Sequence, residues 1–147
     1  MVQAERNARA IWHGGLSDGS GKVSLGSGVL ADSPVTWKGR TESPGGATSP
    51  EELVAAAHAS CYAMAFSNVL AEAGHPPERL QVSAVVGFGD KAGGGAEVKY
   101  SKISVRGRVP GMDQAKFAEL AKQGDQGCPI SNLLRGNAKI EVDATLE

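Results

Sequence analysis

The sequence has few cysteines, few aromatic residues and no excess of charge of either sign. Its 147 residues contain two cysteines, aromatic residues make up 5% of the chain, and the formal net charge at pH 7 is -1. The near-neutral charge excludes the basic surface on which nucleic-acid binding depends, so we expect no nucleic-acid partner. The longest apolar stretches are interrupted by Ser, His, Asn or Gly, and we therefore expect no membrane-spanning segment.

The scarcity of cysteine also excludes a disulfide framework and a zinc site built from closely spaced cysteine pairs. Cys61 and Cys128 lie far apart, and no C-x-x-C pair occurs. Residues 1–12 lack the apolar core of a signal peptide, so we expect a cytoplasmic location. In a reducing cytoplasm, two such thiols are inert, metal-bound or redox-active. We predict neither a metal nor a cofactor.

Strand-like and helix-like patterns alternate along the chain in a way that indicates an α+β protein. The segment 98–109 has one apolar and one polar face, which is typical of antiparallel sheets. We therefore predict antiparallel sheets packed on a long buried central helix, in one domain covering 1–147. The predicted strands are 9–15, 22–32, 34–40, 80–88, 98–109 and 138–146, and the predicted helices are 50–73, 114–123 and a short one within 127–136.

The long helix has a clear start signal. Ser49 is a good N-cap, Pro50 suits the first helical position, and Glu52 completes a capping box. Gly74 and the prolines that follow it end the helix near residue 73. Apolar residues, many of them alanine, surround most of its circumference, which predicts a buried helix.

The two cysteines differ in their surroundings. Cys61 lies among small apolar residues of the long helix, where a free cysteine is usually a packing residue, although His58 three positions earlier raises the alternative of a metal pair. Cys128 directly precedes Pro129 at the start of a short helix, where the helix dipole favours a thiolate. At this point inert and redox roles remain open, and a metal pair is the alternative that we do not favour, because the closely spaced ligands of a zinc site are missing.

Arg40 and Glu51 are the charged residues of greatest interest. Arg40 lies at the end of the predicted strand 34–40, and on its own it is a surface arginine. A guanidinium close to a buried thiol would stabilise the thiolate, and Glu51 would orient that arginine.

Four stretches of the sequence resemble the OsmC/Ohr family, the osmotically inducible protein C and organic hydroperoxide resistance proteins. The resemblance covers the chain from about residue 10 to the end, and "AAHASC", with His58, is similar to the OsmC branch. The stretches are "SGKVSLGSGVL", "TSPEELVAAAHASCYAMA", "RVPGMD" and "GCPISNLLRGNAKIEVDATLE".

The resemblance implies an OsmC-like fold, an intertwined homodimer and thiol chemistry. In this family the residue that matches Cys61 is the peroxidatic cysteine, which an arginine and a glutamate assist, and the glutamate matches Glu51. The residue that matches Cys128 is the resolving cysteine. The Ohr branch draws its arginine from an N-terminal loop, which here, as "HGGLSDGSGK", has none. The OsmC branch supplies it nearer the helix, which matches Arg40.

The implied activity is the reduction of organic hydroperoxides to alcohols, in defence against oxidative or osmotic stress. Cys61 would become a sulfenic acid and then form a disulfide with Cys128, which an external dithiol of the lipoyl type would reduce. Val54, Met64, Phe66 and Ile130 are the predicted apolar lining. Two other functions use the same residues differently: a non-catalytic thiol redox sensor, and a small-molecule-binding dimer with an inert Cys61.

Overall fold

The computed structural model describes all 147 residues, and the chain forms two compact units, residues 1–53 and 54–147. The prediction of one domain over 1–147 stays a prediction. The elements in chain order are β1 Ala8–His13, β2 Ser20–Leu25, β3 Ser33–Val35, α1 Trp37–Thr41, α2 Pro50–Glu72, β4 Arg79–Asp90, β5 Ala96–Arg108, α3 Gln114–Gly127, α4 Pro129–Leu134 and β6 Lys139–Leu146.

The first unit contains an antiparallel sheet in the order β1-β2-β3, followed by α1 and the start of α2. The prediction that 34–40 is a strand is wrong beyond Val35. Thr36 acts as an N-cap, because its Oγ1 accepts a hydrogen bond from the Gly39 N–H at 2.9 Å and the chain turns into a helix. Arg40 therefore lies on a short helix and not at the end of a strand.

The long helix α2 begins as predicted but is buried along one stripe only. Ser49 Oγ accepts a hydrogen bond from the Glu52 N–H at 3.1 Å. By length and composition α2 is long and apolar enough to cross a membrane, but its stripe packs into the core of the second unit, as expected of a core helix. The opposite face is open in the single chain, with Met64 69% exposed. The stripe in the second unit consists of His58, Tyr62, Phe66 and Leu70.

The second unit contains a sheet in the order β4-β5-β6. The α+β class is confirmed, with β4 antiparallel to β5. The expectation of purely antiparallel pairing is wrong for β6, which runs parallel to β5, as in the pair Ile103 and Val142. A parallel pair needs a long crossover connection, and α3 and α4 provide it between Arg108 and Lys139.

The core of the second unit is built around aromatic rings of α2 and α3. The ring centroids of Phe66 and Phe117 lie 5.1 Å apart, and both side chains are fully buried. A Cβ at Gly107 of β5 would lie 2.5 Å from the Phe117 ring, so only glycine allows this ring to approach the strand. This packing fixes α2 against α3. Cys128 belongs to the same core cluster, and Cys61 packs against it.

Candidate active site

The structure brings Cys61 and Cys128 together in the second unit. Cys61 lies on α2 and is half-buried, while Cys128 is the fully buried N-cap of α4. Both are free thiols, and they lie close enough for Cys128 to contribute to the raised pKa of Cys61. Two neighbouring thiols are the arrangement from which a disulfide can form.

The first turn of α4 supplies a backbone N–H to each sulfur. The Ile130 N–H donates to Cys61, and the Ser131 N–H donates to Cys128 Sγ at 3.4 Å. Pro129, at the first helical position, has no N–H to satisfy. The free N–H groups that open a helix are therefore directed at the pair of thiols.

The pKa of Cys61 is raised in this environment. Burial is the largest cause, the Ile130 N–H acts in the opposite direction, and Cys128 raises the pKa further through a hydrogen bond and through its charge. Because the thiolate is the nucleophile, a thiol in this setting needs a cation to become reactive at neutral pH.

Arg40 and Glu51 form a second pair, which lies in the first unit. Arg40 Nη2 donates to Glu51 Oε1 at 2.8 Å, and Arg40 Nε donates to Oε2 at 3.1 Å, so that both carboxylate oxygens accept from one guanidinium. The Arg40 guanidinium also lies 5.9 Å from the centroid of the Trp37 ring. A paired arginine of this kind is held in one orientation. Glu51 and Cys61 are both on α2, about 15 Å apart along its axis.

Sequence reasoning missed a hydrogen-bonded chain around His58, which is fully buried. Its Nδ1 lies 2.6 Å from Ser101 Oγ of β5, and its Nε2 lies 2.7 Å from Ser131 Oγ of α4. Burial lowers the pKa of His58, while Asp125 raises it, and the net direction is down. The signal was present in the sequence, since His58 falls on the same stripe as Tyr62 and a polar residue in such a stripe requires partners.

An apolar cavity of about 520 Å³ lies within the first unit, beside Arg40. Of the residues predicted to line the substrate site at Cys61, Phe66 is fully buried in the core and Met64 is largely exposed, and that lining stays a prediction. Trp12 and Trp37 are the aromatic residues that line the cavity, and the other lining residues are Ala10, Leu16, Val23, Val35, Thr36, Arg40, Pro50 and Leu53.

Comparison with protein families identifies the chain. The family model described as OsmC-like protein matches residues 43–143. The chain belongs to this family. The match includes Glu51, Cys61 and Cys128, while Arg40 lies just outside it.

Individual OsmC-like relatives agree with this assignment. The Peroxiredoxin OsmC of Escherichia coli K12 is 37% identical over 142 residues, covering 97% of this chain and 96% of the relative. The Organic hydroperoxide resistance protein of Xanthomonas axonopodis pv. citri is 38% identical over 103 residues, covering 69% of this chain and 68% of the relative. The predicted OsmC/Ohr resemblance is thereby confirmed.

A solved structure confirms the OsmC-like fold. The organic hydroperoxide resistance protein OhrB of Bacillus subtilis superimposes with a TM-score of 0.76, covering 95% of this chain and 98% of the other. At 24% sequence identity this likeness concerns the fold.

Proposed function

We propose that this OsmC-like protein is a cysteine-based peroxidase that reduces organic hydroperoxides to alcohols. The observation that carries the proposal is that the free thiols of Cys61 and Cys128 lie close enough to interact at the start of α4. The relatives named peroxiredoxin and organic hydroperoxide resistance protein give the substrate class.

The first step is nucleophilic attack. The Cys61 thiolate attacks the distal oxygen of the hydroperoxide, so that an S–O bond forms and the O–O bond breaks. The alkoxide leaves with a proton as the alcohol, and Cys61 becomes a sulfenic acid. The half-buried position of Cys61 and its apolar neighbours on α2 favour a substrate that carries an alkyl group.

The second step closes the disulfide. The Cys128 sulfur attacks the Cys61 sulfur, the S–S bond forms, and the S–O bond breaks with loss of water. An external dithiol then returns two electrons and two protons to the protein by thiol–disulfide exchange, and we propose a dithiol of the lipoyl type. The proximity of Cys128 to Cys61, which contributes to the raised pKa of Cys61, supports this step.

Arg40 provides the positive charge that the Cys61 thiolate needs, and Glu51 orients Arg40. The bidentate contact between the Arg40 and Glu51 side chains supports the orienting role of Glu51. The raised pKa of Cys61 supports the need for a positive charge, because burial disfavours the thiolate. Both roles follow the family resemblance, and the kinetics of Arg40 variants test them.

The working form is a cytoplasmic homodimer that acts in defence against oxidative and osmotic stress. The open apolar face of α2, with Met64 69% exposed, supports a dimer because a second copy would cover it. Light scattering after gel filtration would report twice the mass of the chain for a dimer, and a mass of one chain at micromolar concentration would reject it.

The peroxidase is tested by turnover of cumene hydroperoxide with excess dithiol. We expect catalytic consumption by the wild-type protein, none above background for Cys61→Ser, and stoichiometric oxidation without disulfide recycling for Cys128→Ser. Wild-type rates in Cys61→Ser would reject the assignment. A redox sensor would form the disulfide once and show no turnover, and a small-molecule-binding protein would leave both thiols reduced.

A further inference from the structure

His58 connects three elements of the second unit through side-chain hydrogen bonds. It lies on α2, its Nδ1 is 2.6 Å from Ser101 Oγ on β5, and its Nε2 is 2.7 Å from Ser131 Oγ on α4. All three side chains are fully buried. The imidazole has no direct hydrogen bond to either cysteine, and the peroxidase steps described above do not use it.

A neutral imidazole can make every hydrogen bond of the Ser101–His58–Ser131 chain. A neutral ring has one donor nitrogen and one acceptor nitrogen, and a serine hydroxyl can complement either. Both ring nitrogens of His58 are therefore used, and a shift of α4 or β5 would leave a buried polar atom without its partner. Because losing a buried hydrogen bond costs free energy, the Ser101–His58–Ser131 hydrogen bonds fix the positions of α4 and β5 relative to α2.

Ser131 extends this constraint to both sulfurs. Its backbone N–H donates to Cys128 Sγ at 3.4 Å, and the N–H of its neighbour Ile130 donates to Cys61. The residue that fixes the Ser131 side chain, His58, precedes Cys61 by three positions on α2, which is one turn of helix. The position of the first turn of α4 thus determines how close the two sulfurs lie.

We propose that His58 is a positioning residue for the resolving step, acting through the Ser101–His58–Ser131 chain to hold Cys128 against Cys61. This inference rests on the proposed peroxidase function. After the first oxidation, two reactions compete for the Cys61 sulfenic acid. Cys128 attacks it to form the disulfide and water, or a second hydroperoxide oxidises it to a sulfinic acid and releases a second alcohol. Holding Cys128 in place favours the first reaction.

The test compares His58→Leu with a matched control on the same stripe of α2. His58→Leu keeps an apolar side chain in the stripe and removes both hydrogen bonds. Tyr62→Phe is the control, because it removes one buried hydrogen bond, from Tyr62 Oη to the Ala121 carbonyl at 2.7 Å, that leads to α3 and not to α4. Samples treated with a series of cumene hydroperoxide concentrations, from one equivalent to a large excess, are quenched and analysed by mass spectrometry for sulfenic acid, disulfide and sulfinic acid.

We expect the first oxidation in His58→Leu to stay within about threefold of wild type, and disulfide formation to slow by about tenfold. The sulfinic acid should therefore appear at about tenfold lower peroxide concentration. Ser131→Ala should behave like His58→Leu, Ser101→Ala should show a smaller effect, and Tyr62→Phe should match wild type. A wild-type ratio of disulfide to sulfinic acid in His58→Leu overturns the proposal, and so does an equal shift in Tyr62→Phe.

An equilibrium measurement separates this proposal from the proposed function, because it needs no peroxide. In dithiol/disulfide redox buffers, the Cys61–Cys128 disulfide of His58→Leu should be about tenfold less favoured than that of wild type, which is a reduction potential about 30 mV higher. If the potential of His58→Leu is shifted but wild type shows no peroxide turnover, the positioning role is retained and the peroxidase function is rejected. If wild type shows turnover but His58→Leu has an unchanged potential and an unchanged product ratio, the peroxidase function is retained and the positioning role is rejected. If His58→Leu does not fold, the two serine variants decide the outcome by the same criteria.

Discussion

The two compact units of the chain place their reactive groups in opposite settings. In the first unit, the Arg40 side chain is 29% exposed, pairs with Glu51 and borders an open apolar cavity. In the second unit, Cys128 is fully buried and Cys61 is half-buried among apolar residues. Burial protects a thiol from solvent but raises its pKa, whereas a guanidinium near solvent keeps its charge at little cost. The group expected to act as nucleophile therefore lies in a mostly buried setting, and the group expected to supply positive charge lies close to solvent.

The largest expected difference between the units is in stability. Phe66→Ala removes a ring at the centre of the second unit and should lower the free energy of unfolding by about 3–5 kcal/mol. Trp12→Ala, on strand β1 of the first unit, should cost about 1 kcal/mol or less, because Trp12 is 42% exposed. Urea denaturation followed by circular dichroism measures both, and equal losses would contradict the contrast between the units.

Removal of the cation is the next largest effect. Arg40→Ala should slow the first oxidation of Cys61 at pH 7 by about 100-fold, since a neighbouring positive charge shifts a thiol pKa by one to three units. Burial raises the pKa of Cys61, and the proposed role of Arg40 is to lower it in the working enzyme, so the rate of the variant should go on rising with pH after that of wild type has levelled off. Stopped-flow kinetics from pH 6 to 10 would show this.

The control for the arginine is Arg79→Ala in the second unit. Arg79 forms an exposed ion pair with Glu147 at 3.6 Å and has no proposed part in the reaction. Its rate should equal that of wild type at each pH. If Arg40→Ala and Arg79→Ala have the same pH profile, Arg40 is not the activating cation.

A smaller effect concerns the start of α2, which begins in the first unit and continues into the second. Ser49→Ala removes the side chain that caps the helix and should lower the free energy of unfolding by about 1 kcal/mol. Ser60→Ala on the same helix should have little effect, because the exposed Ser60 hydroxyl bonds back to carbonyls of its own helix. Thermal melts of the two variants provide the comparison.

The smallest expected effect is a pH dependence of stability in the second unit. The pKa of the buried His58 is lowered, so below about pH 6.5 the unfolded chain binds a proton that the folded chain does not. Stability is therefore complete above about pH 6.5 and falls as the pH decreases towards the folded pKa. The Tm of wild type should fall by a few degrees more between pH 7 and pH 5 than that of His58→Leu. His13→Gln, at an exposed strand position of the first unit, should keep the wild-type fall.

Local signals predicted much of this structure, and long-range contacts explain where prediction stopped. Ser49 and Glu52 mark the start of α2, and the predicted helix at 114–123 is present as α3, with Asp113 as its cap, since its Oδ1 accepts from the Lys116 N–H at 2.8 Å. The helix at Trp37 was missed because its cap, Thr36, lies within a run that alternates like a strand. The parallel pairing of β6 has no signature in its own alternating residues, since strand direction depends on the connection and not on the strand.

In the candidate site, too, local motifs could be read from the sequence and long-range contacts could not. Motif resemblance identified Cys61, Cys128, Glu51 and Arg40, and the structure joins these residues as two pairs. The partners of His58 could not be predicted, because Ser101 and Ser131 lie 43 and 73 positions away along the chain. Ser131 lies in the quoted stretch that begins at Gly127, but nothing in that stretch indicates that its hydroxyl bonds to His58, and nothing around Ser101 distinguishes it from other serines.

The parallel pairing of β5 and β6 has a consequence for the order of events as the chain leaves the ribosome. β6 pairs with β5 only after the intervening segment, which contains Cys128, has been synthesised and its ends have met. Closing so long a loop is slow compared with the formation of a helix such as α2. We therefore expect the newly made chain to pass through a stage in which Cys61 lies on a formed helix and Cys128 has not yet arrived. During that interval the Cys61 thiol depends on cellular reductants for its protection. Peroxide present during synthesis would oxidise Cys61 before Cys128 is in place to form the disulfide.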